Sequence, residues 1–440
     1  MTNKQKSINS TSLFDTLLVV LILCLQFASQ TATAGWSQFQ GNAQHTGFVE
    51  SDLRATSLKP LWTIDAPPYS AQPGDRSVAI VDGDVYATIL SGYGFSGPYI
   101  LNRIDGNDGK IKWQIPISAY SHSGVSAPSV DGGVVYVHHW GHSSNPSSPS
   151  ELPSLMGFDA NDGSQLFVTP HSGQWESGSR PTIAGDRVFA AGGYYGGLDS
   201  YHLDGNHQWF HQVNQQYGWI PAADDEKVYV YMGEASASPG PGTGSLYIVD
   251  RDSGARTSTI LHPQSGGSFY GASQSVVLGG MDDAFAQTYS SNFSNILVRF
   301  NISNNDISWQ LSSNFSGVPA VGNGMVFIPD GSRLRVLDQA TGNDLWNWQG
   351  GSVFGNVVLT DNYAFVTAGS SVHAIDITTH QSVWNSSGIT GSIALENQLL
   401  VISNPNGVYA FSVPEPGALH LMMISICGLA LSRTKTESHR

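Results

Sequence analysis

Carboxylates and indoles recur in this 440-residue chain at a fixed spacing. Asp105 is followed eight residues later by Trp113, Asp338 by Trp346, and Asp376 by Trp384. Asn301 and Trp309 keep the spacing with an amide in the acid's place, Asp159 and Phe167 with another aromatic, and Asp204 and Trp209 shorten it. An acid paired with a flat ring can seat a cofactor. It also suits a chain corner and a packed face, where the acid accepts bonds from the turn it starts and the ring buries area. Other groups carry possible chemistry. His138-His-Trp-Gly-His142, with His122 nearby, is the densest histidine cluster. His139 and His142 would share a metal if a loop brought them together, though no carboxylate partner is evident and the pattern also suits polar loop residues. Tyr194-Tyr-Gly-Gly197 and Tyr217-Gly-Trp219 suit stacking on a sugar or packing between strands. Asp224-Asp-Glu226 and Asp282-Asp283 are acidic turn tips without the alternating oxygen ligands of a calcium loop. Nothing reads as a phosphate loop, a nucleophile elbow or a zinc-protease helix.

The elements around these residues decide between the readings. Each Asp-to-Trp copy follows a β-like run and contains a turn. In one copy, Val318 to Val321 predicts a short buried strand, Gly322-Asn-Gly324 a turn, and Met325 to Ile328 a second strand. Leu334 to Leu337 alternates with period two, Asp338 to Gly342 turns the chain, and Asp344 to Trp348 forms an outer strand. The same order appears at 77–117, 127–170, 180–213, 219–261, 273–312 and 355–388. The last copy, 392–411, supplies three strands and no outer one. An orphan outer strand stands at the other end, around Trp62. Joining the two closes a ring, which removes exposed sheet edges. The expectation is therefore an all-β, eight-bladed propeller of four-stranded blades, with about 40–50 residues per blade. In it the aspartates and tryptophans are packing residues, each ring worth about 2–3 kcal/mol by area. The Ser-, Gly- and Pro-rich stretches at Ser143–Ser150 and Ala235–Gly244 are expected to enlarge one face of the disc.

Two runs, Leu334-Arg-Val-Leu-Asp338-Gln-Ala-Thr-Gly342-Asn-Asp-Leu-Trp346 and Val372 to Trp384, resemble the pyrroloquinoline-quinone-type (PQQ-like) propeller repeat. Gly35-Trp-Ser-Gln-Phe-Gln-Gly41-Asn-Ala-Gln-His-Thr-Gly47 resembles the lead-in of many bacterial members. The resemblance spans about residues 35–412 and implies the fold. For activity it implies either of two things, because the family holds quinone-dependent alcohol dehydrogenases and also cofactor-free propellers such as an outer-membrane assembly scaffold. The dehydrogenases typically place a disulfide of adjacent cysteines against the quinone. The two cysteines here, Cys24 and Cys427, fall outside the propeller segment.

Composition adds direction. Residues 35–412 hold 14 basic and 31 acidic residues, a net charge of −17, which argues against a nucleic-acid partner. Residues 1–34 read as a secretory signal peptide: Lys4 and Lys6, an apolar core from Leu17 to Leu25, and a small-residue cleavage site, Ala32-Thr-Ala34. Residues 413–440 read as a second address. Val413-Pro414-Glu415-Pro416 precedes an apolar run, Ala418 to Ser432, and then Arg433 and Lys435. As a helix that run reaches about 22 Å, short of a ~30 Å hydrocarbon core. This order of parts resembles a PEP-CTERM sorting signal, although His420 and the short basic tail depart from it. That resemblance implies an exosortase-type processing enzyme, a transient inner-membrane anchor, and delivery to the cell surface or extracellular matrix. The reading that results is a non-catalytic exported scaffold or binding module, needing no cofactor, with extracellular polysaccharide or other surface proteins as partners. The alternatives are a quinoprotein dehydrogenase using PQQ and calcium, and a lyase or hydrolase acting on polysaccharide.

Overall fold

In a computed structural model, the described residues are 35–66, 77–90, 99–117, 123–141, 152–171, 180–193, 196–213, 219–233, 244–262, 275–280, 282–289 and 295–413. They form eight antiparallel sheets arranged as the blades of a propeller. Seven of the blades run from an inner strand to an outer one in chain order. Blade 1 is Ala79–Val81, Asp84–Leu90, Tyr99–Asp105 and Ile111–Ile117. Blades 3, 4, 5, 6 and 7 repeat it, with inner strands at Thr182–Ala184, Ala222–Ala223, Val277–Leu278, Ala320–Gly322 and Val353–Leu359. Blade 8 is the closing blade. Ser392–Glu396, Leu399–Asn404 and Gly407–Ser412 come from the end of the ring, and Lys59–Asp65 from its beginning. The orphan strand carrying Trp62 therefore sits where the sequence requires it, with Trp62 opposite Ala410.

Proline accounts for two departures from the expected strands. Pro319 cannot donate to a ladder, so the inner strand of blade 6 starts at Ala320, and Val318 makes only an isolated bridge to Asn356. In blade 2 the inner strand is split by Ala127-Pro128 into Ser123–Val125 and Ser129–Asp131. Both halves pair with Val134–Gly141, and Ser126 bridges the gap by accepting from His138 N at 2.9 Å.

The core lies between blades more than within them. Tyr86 and Leu101 of blade 1 pack with Val135 and Phe158 of blade 2. Phe327 and Val336 of blade 6 pack with Val357 and Val366 of blade 7. The outermost strands are the exposed layer, with their aromatic residues half-buried. The tight turns after the inner strands and the Asp turns before the outer strands share one face of the disc. Ser143–Ser150 and most of Ala235–Gly244, expected to enlarge one face, lie outside the described residues. Gly35 and Val413 both leave from blade 8 on the face of the tight turns: Gly35 lies against Glu396, and Val413 follows Gly407–Ser412.

Candidate functional site

The Asp-to-Trp repeat is a joint between blades. At its first half, the Asp side chain accepts from the turn it opens: Asp105 from Asn107 N at 2.9 Å, Asp338 from Thr341 N at 2.8 Å, and Asp376 from Thr379 N at 2.7 Å. These bonds from Asn107 and Thr379 amides, and from the Thr341 hydroxyl to Asp338, hold the three carboxyls below the ordinary Asp range. At its second half, one residue of the outer strand is bulged out just before the aromatic position. The register breaks between Arg103 and Ile104, Val336 and Leu337, and Ala374 and Ile375, and at the equivalent place in the other five blades. A bulge bends its strand and re-aims the next side chain.

Here it aims the ring at the following blade. Trp62 donates to Gly106 O at 2.8 Å, Trp113 to Ala160 O at 2.9 Å, Trp209 to Arg251 O at 3.0 Å and Trp309 to Gln339 O at 3.1 Å. In each case the acceptor follows the Asp of the next turn. The glycine closing that turn leaves room for the ring. A Cβ on Gly109 would lie 2.8 Å from Trp62, and one on Gly342 would lie 2.8 Å from Trp309. Where the glycine is replaced, the joint changes form. His380 stacks on Trp346 at 4.2 Å and 11°. Ser258 hydrogen-bonds Asn305 where the ring itself is missing. Trp384 donates to Leu58 O at 3.2 Å, across the ring closure.

The second feature is a plug. Residues Trp36 to Gly47 travel around the inner end of the blades and meet them in order. Ile80 N of blade 1 donates to Trp36 O, and Val130 N of blade 2 to Ser37 O, both at 2.8 Å. Ile183 N of blade 3 donates to Gln38 Oε1 at 2.7 Å. Ala223 N, Leu278 N and Val321 N of blades 4 to 6 donate to Ala43 O, Gln44 O and Thr46 O at 2.8 Å, and Leu359 N of blade 7 to Gly47 O at 2.7 Å. All seven amides lie at the turn end of the inner strand, in its last or second-last ladder pair before the tight turn. They lie on the inner edge of each sheet, where backbone groups need an outside partner. Gln40 reaches Pro319 O at 3.2 Å and, through Asn356, Ile393 of blade 8. Sequence reading found this segment only as a lead-in. Its partners are spread over 300 residues, and no local spacing encodes them.

Within the plug, His45 is fully buried. It lies 2.9 Å through Nδ1 from Val276 O, which fixes the donor proton there, and 3.3 Å through Nε2 from Thr182 Oγ1. Burial first, and then the charge of Arg180, push its pKa down to about 3 against the raising effect of the Val276 bond. Arg180 is itself fully buried, with its guanidinium against Ser77 and Val78 O.

The family model described as outer membrane protein assembly factor BamB matches residues 45–218 and 204–415. The chain belongs to this PQQ-type family. No curated protein matches it in sequence. Among solved structures it is similar to BamB from Moraxella catarrhalis, with 17% identity, a TM-score of 0.55, and coverage of 81% of this chain and 99% of that one. It is also similar to a europium-containing methanol dehydrogenase (11%, 0.63, covering 86% and 91%) and to quinohemoprotein alcohol dehydrogenase ADHIIG from Pseudomonas putida (12%, 0.51, covering 87% and 80%). At such identities these likenesses establish the fold that the BamB family shares with the dehydrogenases.

His138 and His171 stack, with Nε2 atoms 2.5 Å apart, and His139 is buried beside Leu152 O; His122 and His142 lie outside the described residues. Among the described residues no three metal-ligating side chains converge. Trp219 is buried among Ala184, Phe189 and Val228, while Tyr194, Tyr195 and Tyr217 lie outside the described residues. Asp224 accepts from Glu226 N, Lys227 N and the Tyr229 hydroxyl, and Asp283 pairs with Arg299 at 2.6 Å. The described inner strands carry two carboxylates, Asp131 and Glu396, both at tight turns on the plugged face. Ala32, Ala34, Pro414, Glu415, Pro416 and both cysteines lie outside the described residues too, and no described helix is long and apolar enough to cross a membrane.

Proposed function

We propose that this BamB-family propeller is a non-catalytic scaffold or binding module, exported, and sorted to the cell surface or extracellular matrix by an exosortase-type system. One observation carries the reading. The residues whose spacing could have served chemistry are used in joining blade to blade, and the inner end of the ring is filled by the chain's own Trp36–Gly47. What remains for recognition is the connections between the strands, and loops on a closed ring of sheets commonly supply it. Extracellular polysaccharide or another surface protein is the expected partner.

The test is a titration of the purified protein with pyrroloquinoline quinone and calcium, run beside a glycan array. The expected outcome is no stoichiometric quinone uptake, no dye-linked alcohol oxidation, and selective retention of a glycan. Stoichiometric uptake with turnover would replace this reading by the dehydrogenase one.

A further inference from the structure

Gly35 is laid against a buried acid. A Cβ built on it would lie 2.6 Å from Glu396 Oε1 and 2.8 Å from Ile80 O, so no other residue fits there without displacing one of them. Glu396 ends the inner strand of blade 8 and is 4% exposed. Its Oε2 accepts from Gly83 N of blade 1 at 2.8 Å, so it sits on the seam between blades 8 and 1. The neighbouring charges are acidic. Asp82 and Asp84 stand in the adjoining turn, and Asp84 is neutralised by Arg103 and Lys112, each at 2.6 Å. Among the described residues no ion pair reaches Glu396. Burial raises its pKa, against the Gly83 bond. A buried carboxylate in that position gains from a cation.

The sequence places a cation source at the same point. The cleavage motif Ala32-Thr-Ala34 ends one residue before Gly35. Hydrolysis of the Ala34–Gly35 amide adds one water, leaving a carboxylate on Ala34 and an ammonium on the Gly35 nitrogen. We propose that Glu396 is the seat of this new N-terminus: the Gly35 ammonium pairs with the Glu396 carboxylate and donates to Ile80 O, tying the start of the plug across the seam between blades 8 and 1. In the uncleaved chain the same nitrogen is a neutral amide, so the pair exists only after processing. The proposal rests on the exported reading with its cleaved leader.

The pH behaviour follows. An α-amino group titrates at about 7.7–8.0 when free, and a carboxylate partner raises that value in the folded state. The pair's contribution is then present below about 8, is lost as pH rises through the raised value, and is lost at the acid end when Glu396 is protonated. Asp82 and Asp84 act in the same direction on the ammonium, and Lys112 and Arg103 oppose them.

The experiment compares two forms of the full-length gene product. One is the exported form, whose first residue is read by mass. The other is a precursor blocked by Ala32→Asp and Ala34→Asp. Each is made with Glu396 and with Glu396→Gln, which still accepts from Gly83 N. Glu396→Gln is expected to lower the melting temperature of the exported form by more than that of the precursor. It should also bring the α-amine titration of the exported form, followed by reductive ¹³C-methylation, down by about one unit toward its free value. Equal melting losses in both forms, or an unmoved amine titration, overturn the pairing while leaving export intact. A first residue other than Gly35 overturns the processing on which the pairing rests, and the mass alone shows it.

Discussion

At the scale of single residues, the acids and rings of the repeat trade their chemistry for geometry. An Asp fixes the turn, a bulge turns the ring, and a glycine admits it. The spacing of eight was legible in sequence because turn chemistry and period-two strands are local. The ring's partner was not, because it lies in the next blade, some 40 residues on. Nor did the sequence mark the bulge, since it is a register property of two strands. Among the described histidines, His45 is fully buried and shifted far from its ordinary value. Its folded pKa is near 3 against an ordinary 6.5, so the unfolded chain binds the extra proton between these values. Stability should therefore fall as pH drops below about 6.5, by up to roughly 1.4 kcal/mol per pH unit, until about pH 3. Urea midpoints measured across that window should show the slope, and His45→Gln should flatten it. An unchanged slope would place the acid sensitivity elsewhere.

At the scale of elements, the plug and the closing strand do related work from one stretch of chain. Residues 36–47 cap the inner edges of seven blades, and Lys59–Asp65 caps the outer edge of the eighth. The closing strand was readable because two orphans at opposite ends of the sequence matched. The plug was not, because a segment with no repeating pattern gives no period to match. Gln38 is its most specific side chain, exchanging bonds with both Ile183 N and Ile183 O at 2.7 and 3.0 Å. Gln38→Ala leaves a buried amide of blade 3 without its acceptor and should cost about 1–3 kcal/mol in equilibrium unfolding. Ser37→Ala, whose contact with Val130 is through the backbone carbonyl, should cost much less. Similar losses for both would mean that the side chain of Gln38 is not what holds blade 3 to the plug.

At the scale of the whole molecule, the ring was the most legible feature and the ligand the least. Eight copies of one unit announce a propeller, whereas a ligand leaves no such period in the sequence. The proposed sorting to the surface has its own test at this scale. Replacing Pro414, Glu415 and Pro416 together with alanine should leave the protein in the inner-membrane fraction, with little on the surface. Undiminished surface delivery would remove the exosortase reading and leave the propeller assignment untouched.

Blade 8 also sets how the molecule carries mechanical load. Whatever follows Val413 pulls on Gly407–Ser412, which is hydrogen-bonded along both edges, to Leu399–Asn404 on one side and to Lys59–Asp65 on the other. A tug along that strand meets two ladders in shear, so their bonds resist together and do not unzip one at a time. Tension at the C-terminal end is thus borne by the strand pairing that closes the ring, and a tethered disc would fail by opening at its clasp before any other blade came apart.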